Sequence, residues 1–508
     1  MGPPTLQDVN RYRTHHGTNL GAIFVLERWL FPNMFLESAK GGSELSAVTA
    51  YVEAHGVEAT RVKWEEHWEK TMTPADWAFL RDTAKATSVR LPIGWFTLGP
   101  QYCGGTAFES VSGVYANAWT WVTNYVKAAA DHGIGVLLDL HGLPGGANDQ
   151  EHSGTDYGKS ELWENQFFRQ RTTEVLVTIA QRVVADPLMR DWVIGLQLVN
   201  EAITGAGERG MFGWYDSTLA AIAAVDSTLP CYISDAWNSQ ATLDYAVNKN
   251  YARRKNPLLS SPVVVDIHKY YCFDAWNKSR SPKEIITTVP SDGSEILAVA
   301  EREVGTVIGE WSCVLAEETW AKAKPADRAG LIKEFGHAQS QRWEQTLKPV
   351  NGGAFFWTAK MQWMDGGEWG FVDQSKKGNL LPATALTFSS ERLTEIANQA
   401  KAAQLALRAR AIAEHVDYWA QNGGGKQMEH WRFEAGYDVG FWDAVTFLGL
   451  RQQVDMPGGD VVGFGNLWAG KRLREHVAER GSWDSRWLWE FEHGVKRGIR
   501  DVESFIKP

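Results

Sequence analysis

Between about residue 18 and residue 360, short apolar and β-branched runs alternate with longer amphipathic stretches. The runs of strand length are Thr18–Phe24, Ser88–Pro92, Ile134–Leu140, Val193–Asn200, Cys231–Asp235, Val263–Ile267, Val307–Glu310 and Gly353–Trp357. Between them apolar residues recur at helical spacing, as in Leu45–Ala54, Ala116–His132, Glu161–Ala185 and Arg328–Leu347. One helix start is well marked. Thr73 offers a cap, and Pro74 takes the first helical position, where a missing N–H costs nothing. Strand–helix alternation predicts a parallel sheet. Eight strands favour closure over an open doubly wound sheet, so residues 1–385 are predicted to form an α/β unit, a (β/α)8 barrel.

The pattern changes after about residue 385. Ser390–Ala420 reads as one long helix rich in Ala, Leu, Glu, Lys and Arg, broken by Gly423, Gly424 and Gly425. The stretch from Trp431 to Phe447 then returns from Trp489 to Phe505, sharing Trp-x-Phe-Glu-x-Gly-x-x-x-Gly-x-x-Asp-x-x-x-Phe. Glycines four apart lie on one helical face, so two such helices can approach closely and pack as a pseudo-symmetric pair. Glycine weakens a helix, and close packing is the compensation expected. Residues 386–508 are therefore predicted to be an all-helical domain, packed on the barrel or on a second copy of the chain. A homo-oligomer through these helices is one expectation, and a separate binding role is the alternative. Two copies are too few for a solenoid.

Composition narrows the partners. A net charge of −10 argues against nucleic acid, whose phosphates need a basic face. No Gly-x-Gly-x-x-Gly or P-loop pattern follows a strand, which speaks against nucleotide binding. No window approaches about 18 uninterrupted apolar residues, so no transmembrane segment is predicted. The opening Met-Gly-Pro-Pro-Thr-Leu-Gln-Asp lacks the basic start and apolar run of a signal peptide, and an intracellular protein is expected. Twenty-five Trp are more than packing usually needs; most should fill the core, and the rest offer flat faces to sugar rings. Cys103, Cys231, Cys272 and Cys313 form no C-x-x-C pair and no cluster with His at metal spacing. Cys272 and Cys313 follow adjacent strands and could pair, but a reducing compartment would leave them as thiols. No metal or organic cofactor is expected.

In such a barrel the residues that end each strand converge at one mouth. Here they are Arg90, Asp139 and His141, Asn200 and Glu201, Asp235 and Trp237, His268 and Tyr270, Glu310 and Trp311, and Trp357. Any one is ordinary; Arg90 alone would be a structural ion-pair donor, and His141 alone a hydrogen-bonded rim histidine. The collection is not. Two glutamates stand out, in Leu198-Val-Asn-Glu201 and Ile308-Gly-Glu310-Trp. Glycoside hydrolysis needs one carboxyl to protonate the leaving oxygen and a second near the anomeric carbon. Strands four and seven put the pair across the mouth. Arg90 beside Glu310 would keep it ionised, and a poorly solvated Glu201 would keep its proton.

These residues carry a resemblance to glycoside hydrolase family 5 (clan A), and most to its fungal exo-β-1,3-glucanase branch, over nearly the whole barrel. The matching segments, in order, are Asn19-Leu-Gly-Ala-Ile-Phe-Val-Leu-Glu27-Arg-Trp29, His67-Trp68, Val89-Arg90-Leu-Pro-Ile-Gly94, Asp139-Leu-His141-Gly-Leu-Pro-Gly145, Asn200-Glu201, His268-Lys-Tyr270 and Gly309-Glu310-Trp311. The resemblance implies Glu201 as acid/base and Glu310 as nucleophile. It implies that Arg90, Tyr270 and Asn200 position the nucleophile or the sugar 2-hydroxyl. His141 and His268 would line the terminal-sugar subsite, Glu27 would grip its distal hydroxyls, and Trp357 would be the platform. Phe273 matches one of two Phe that face each other across the entrance, but Gln150 stands where the other belongs. Strand eight reads Trp357-Thr-Ala359-Lys360 where the branch often has Trp-x-Trp-Lys.

The leading expectation is a retaining β-glycosidase that releases terminal β-D-glucosyl units, an exo-β-1,3-glucanase or β-glucosidase, with a carbohydrate or glycoside as its partner. The departures at the entrance keep a second reading open: a glucosidase for glycolipid or small-aglycone glucosides, or an endo-acting glycanase. A non-catalytic carbohydrate-binding barrel is the third, and the presence of both glutamates weighs against it.

Overall fold

The computed structural model describes the chain except for residues 204–207, 294–295, 297, 346–350, 424–426, 455 and 507–508. Eight parallel strands close in sequence order, the last pairing with the first. They are β1 His15–Asn19, β2 Ser88–Gly94, β3 Gly135–Gly142, β4 Val193–Gln197, β5 Cys231–Ser234, β6 Val263–Lys269, β7 Gly305–Trp311 and β8 Asn351–Phe356. Seven fall on the predicted runs to within a few residues. β1 lies earlier than Thr18–Phe24, because its second half leaves the sheet: Ala22 takes a left-handed φ of 59° and Gly21 N–H bonds the Thr358 hydroxyl at 3.0 Å. Leu20, Ile23, Phe24, Val25 and Leu26 are apolar because this loop is buried.

The helices begin largely where the chemistry asks. Thr73 caps the helix Pro74–Asp82 in a reciprocal box with Asp76. The segment Leu45–Ala54 opens a longer element, Glu44–Lys70, interrupted at Gly56. The other predicted helices are Ala118–Ala130, Gln166–Ala185 and Arg328–Gln345; Leu347, the expected end of the last, lies outside the described residues.

Strand alternation sorts the side chains into two cores. On β3, Val136, Leu138 and Leu140 face the helices, while Leu137, Asp139 and His141 point into the barrel; on β6, Val263, Val265 and Ile267 face out, and Val264, Asp266 and His268 face in. The interior therefore runs from apolar at its floor to charged at its mouth. The floor residues Leu137, Ile194, Tyr232, Val264, Val307 and Phe355 do not form a closed layer of their own. They share one core with Val9 and Tyr12 of the N-terminal helix and with Phe464, Leu467 and Trp468 of the C-terminal region. The Phe464 ring rests where β8 starts, and a Cβ on Gly352 would come within 2.0 Å of it. The C-terminal region is the plug of the barrel floor.

Among the described residues that region has four helices, Ser390–Asn422, Trp431–Gln453, Gly465–Arg480 and Leu488–Glu503. Gly423 ends the first; Gly424 and Gly425 lie outside the described residues. The two repeat helices pack on each other through their glycines. A Cβ on Gly436 would lie 2.1 Å from the Phe491 carbonyl oxygen, and one on Gly494 would lie 2.1 Å from that of Phe433. Gly440 meets the Val495 carbonyl and Gly498 the Tyr437 carbonyl in the same exchanged way, at 2.0 and 2.4 Å. The expected pair is thus formed inside one chain. The Gly-x-x-x-Gly faces are thereby covered within the chain. The repeat aspartates are buried anchors: Asp443 accepts from Arg472 and Trp468, and Asp501 from Tyr437 and Arg497. All four cysteines are buried free thiols. Among the described residues no helix is long and apolar enough to cross a membrane.

Candidate active site

The strand ends converge on a cavity of about 630 Å³. Its floor is organised by Arg90, which β2 buries completely. The guanidinium donates through Nη1 to Asn19 Oδ1 (2.9 Å) and Glu310 Oε1 (3.0 Å), through Nη2 to Asn200 Oδ1 (2.6 Å), and through Nε to Gln197 Oε1 (3.0 Å). Asp139 lies 3.1 Å from Nη2 and Asp266 3.7 Å. Burial alone would favour a neutral arginine; the charges of Asp139, Glu310 and Asp266 outweigh it and raise its pKa. One buried cation thus ties five strand ends into a fixed fork.

Glu310 accepts from Arg90 on one oxygen and from the Tyr270 hydroxyl on the other at 2.8 Å. Its carboxylate is fully engaged and only 6% exposed. Glu201 follows β4 in a strained left-handed conformation, φ 43°, which Asn148 braces by donating to its carbonyl at 3.1 Å. Its two oxygens are each faced by a histidine: Oε1 lies 2.7 Å from His268 Nδ1 and Oε2 3.2 Å from His152 Nε2. An oxygen of Glu201 lies within 4.8 Å of one of Glu310.

The protonation pattern differs from the one expected from burial. Burial does push Glu201 toward its neutral form, but the hydrogen bonds and charges of His152 and His268 prevail and hold it well below the ordinary carboxylate range. Burial likewise disfavours charge on His268, yet Glu310 and Asp266 raise it well above the ordinary imidazole value. His152 follows the same balance and is raised to about 9 by Glu201, Glu27 and Glu310. Glu27, after β1, is pushed up to about 7 by burial, against the pull of His152 and of the Trp29 indole N–H, which it accepts at 2.8 Å.

The remaining predicted residues gather here too. His141 is held by Asp139 at 2.6 Å, lies 3.3 Å from Asn200 Nδ2, and stacks at 6.0 Å and 17° on Trp357. Burial lowers its pKa, so it faces the cavity as a neutral ring. Trp357 is buried as one wall, and its peptide bond to Thr358 is cis. Phe273 stands at the rim, 64% exposed, edge-on to Tyr270 at 5.4 Å. Gln150 lines the entrance and bonds Asp149, and the indole of Trp237, 60% exposed, lines it as well. Sequence reasoning missed His152, Asn148, Gln197, Asp266 and Trp369. The signal for His152 was a titratable ring in an otherwise Gly-, Asn- and Asp-rich loop directly after a strand end.

Two groups among the described residues bring three candidate metal ligands within 4.8 Å, Glu201/His268/Glu310 and His415/His430/Glu490. Their nitrogen–oxygen separations of 2.7 Å in the first and 2.8 and 3.0 Å in the second are hydrogen-bond lengths. A tetrahedral zinc site with bonds of about 2.0–2.1 Å has ligand–ligand edges of about 3.3 Å. Both groups are accounted for as carboxylates gripped by imidazoles.

Residues 50–362 match the family model described as cellulase (glycosyl hydrolase family 5), and residues 400–506 match that of the glucan 1,3-beta-glucosidase 3 C-terminal domain. Glucan 1,3-beta-glucosidase 3 of Schizosaccharomyces pombe is 32% identical over 99% of this chain and 98% of its own length. An uncharacterized glycosyl hydrolase of Saccharomyces cerevisiae is 29% identical over 99% of this chain and 94% of its own. Among solved structures, rutinosidase from Aspergillus niger shares the fold at a TM-score of 0.54 and 17% identity, covering 73% of this chain and 99% of that one.

Proposed function

This chain belongs to glycosyl hydrolase family 5, and on that premise we propose that it releases terminal β-D-glucosyl units, with Glu310 as nucleophile and Glu201 as acid/base. The observation that carries the reading is the approach of the two carboxylates to within 4.8 Å. Retaining enzymes hold them at about 5–5.5 Å, whereas inverting enzymes need about 6.5–9.5 Å to seat a water between them. Glu310 attacks the anomeric carbon, the aglycone leaves with a proton from Glu201, and the glycosyl-enzyme is then hydrolysed by a water that Glu201 deprotonates. Arg90 and Tyr270 hold the nucleophile aimed, one on each oxygen. Glu27, His141 and Trp357 bound the space where a terminal sugar would sit.

The S. pombe relative is named for β-1,3-glucan, and a laminari-oligosaccharide is the first substrate to expect. The rim favours a second reading: Phe273 and Trp237 present broad aromatic faces, and these suit an apolar aglycone as well as a second sugar. A panel of laminari-oligosaccharides, aryl β-glucosides and glucosylated lipids, run beside Glu310→Gln, separates the two. Single glucose units from laminari-oligosaccharides support the first reading, and activity confined to aryl or lipid glucosides supports the second. Undiminished activity of Glu310→Gln would remove the proposed nucleophile.

A further inference from the structure

We propose that His152 stores the proton that Glu201 delivers, so that the acid of this site is a Glu201–His152 pair and not a lone carboxyl. The inference rests on the reading of Glu201 as acid/base and adds to it a positioning and proton-holding residue.

The loop after β3 brings His152 there with its own anchors. Asp156 accepts from the Gly42 and Ser43 amides at 2.9 and 3.2 Å and from the Ser46 hydroxyl at 2.5 Å, pinning the loop to the start of the helix Glu44–Lys70. Asn148 grips Glu201 and, through Oδ1, the Gln150 amide at 2.9 Å, so the backbone of the acid and the loop of the histidine are fastened to one side chain. The His152 ring lies edge-on to His141, with centroids 5.3 Å apart.

Two histidines touch Glu201, and their circumstances differ. His268 is clamped at both ends, by Glu201 at 2.7 Å and by Asp266 at 3.1 Å, with Glu310 at 3.6 Å. Giving up its proton would break two ion pairs at once. His152 reaches one carboxylate through Nε2, while its buried Nδ1 has no hydrogen-bond partner among the described residues. It is the member that can shed and regain a proton by moving it a single hydrogen bond's length. The titratable groups that face it are the carboxyls of Glu201 after β4, Glu27 after β1 and Glu310 on β7 and the neutral ring of His141 on β3, with His268 and Arg90 behind the carboxylates. The three carboxylates outweigh the buried cations, in keeping with its rise to about 9.

The cycle balances. At rest His152 is an imidazolium and Glu201 a carboxylate. The proton crosses from Nε2 to Oε2; Glu201 protonates the glycosidic oxygen as the C1–O bond breaks and the Glu310–C1 bond forms. Water then attacks C1, the Glu310 ester breaks, and the water proton passes through Glu201 back to His152. One water is consumed and no net proton.

The test is kcat/KM against pH for the wild type, His152→Asn and His152→Gln, using an aryl β-glucoside with a poor leaving group. Free-enzyme ionisations set this profile. The wild type should lose activity with a midpoint near 9, and in both variants that limb should fall about one to three pH units lower. An unmoved limb, with the change confined to KM, would overturn the proposal and leave His152 a binding residue. A readout that needs no His152 variant is NMR titration of its imidazole in the full-length enzyme. A midpoint near 9 that falls in Glu201→Gln supports the pair, and a midpoint near the ordinary ~6.5 sinks it. Glu201→Ala with azide separates the two levels. Rescue by azide together with an unmoved His152 limb ends the relay alone, whereas absence of rescue, with equal loss on good and poor leaving groups, ends the acid/base reading itself.

Discussion

Replacing Arg90 by Met tests how the site is held together. The guanidinium is completely buried and faces Asp139 at 3.1 Å, Glu310 at 3.0 Å and Asp266 at 3.7 Å, while bonding Asn19, Gln197 and Asn200. Met fills much of the volume but takes away the donor that Asn19, Gln197 and Asn200 share and the cation common to the three carboxylates. Breaking a buried pair from one side costs about 3–5 kcal/mol, since the remaining charge stays uncompensated. The upper part of that range is expected, because Asp139 Oδ1 already lacks a partner among the described residues. The cost should depend on pH in a set direction. Burial raises the Asp266 pKa, but His268 and Arg90 bring it below the ordinary carboxylate value. A depressed folded pKa stabilises the protein above the ordinary value, about 3.9, and that contribution is lost as pH falls through the folded pKa. Losing Arg90 lifts the folded value, so the deficit of the variant is full at pH 7 and shrinks below about pH 4. Urea unfolding followed by Trp fluorescence at both pH values measures it. A deficit under about 1 kcal/mol, or one equal at both pH values, would refute the reasoning.

Three further substitutions probe other parts of the account. Tyr270→Phe removes the hydroxyl that donates to Glu310 at 2.8 Å and should lower kcat about 10- to 100-fold with folding intact, as a hydrogen bond to a charged group of about 1.5–3 kcal/mol implies; an unchanged kcat would exclude that role. Phe464→Ala empties the barrel floor and should cost about 3–5 kcal/mol in unfolding free energy while the folded fraction keeps its activity, and a cost below about 1 kcal/mol would mean the plug bears little of the fold. Gly440→Ala should destabilise by about 1–3 kcal/mol through its clash with the Val495 carbonyl, whereas Gly449→Ala in the same helix meets open space and should gain up to about 1 kcal/mol; equal effects would contradict the reciprocal packing.

The sequence carried the barrel and its mouth because both are written in short-range pattern. Alternation places Asp139 and His141 on one face of β3, and Asp266 and His268 on one face of β6, as soon as the strand is recognised. What it could not carry depends on contacts far apart in the chain. Leu20–Leu26 is apolar like a strand, yet hydrophobicity reports burial and not conformation, so β1 was placed late. The glycine faces announced close helix packing, but whether the partner was a second chain or the repeat 58 positions on is a tertiary fact, settled by the exchanged contacts of Gly436 and Gly494. Phe464 at the barrel floor left no local mark. His152 was legible as a loop histidine and not as a neighbour of Glu201, and that proximity reverses the protonation state that burial alone would give the acid.

The most direct test of the account is to trap the enzyme with a 2-deoxy-2-fluoro-β-D-glucoside bearing a good leaving group, then digest it and locate the label by mass spectrometry. The expected result is one fluoroglucosyl group on the peptide that carries Glu310, with turnover lost in step with labelling. A label on Glu201, Glu27 or any other residue, or a β-glucoside turned over to the α-anomer without any covalent adduct, would contradict the account.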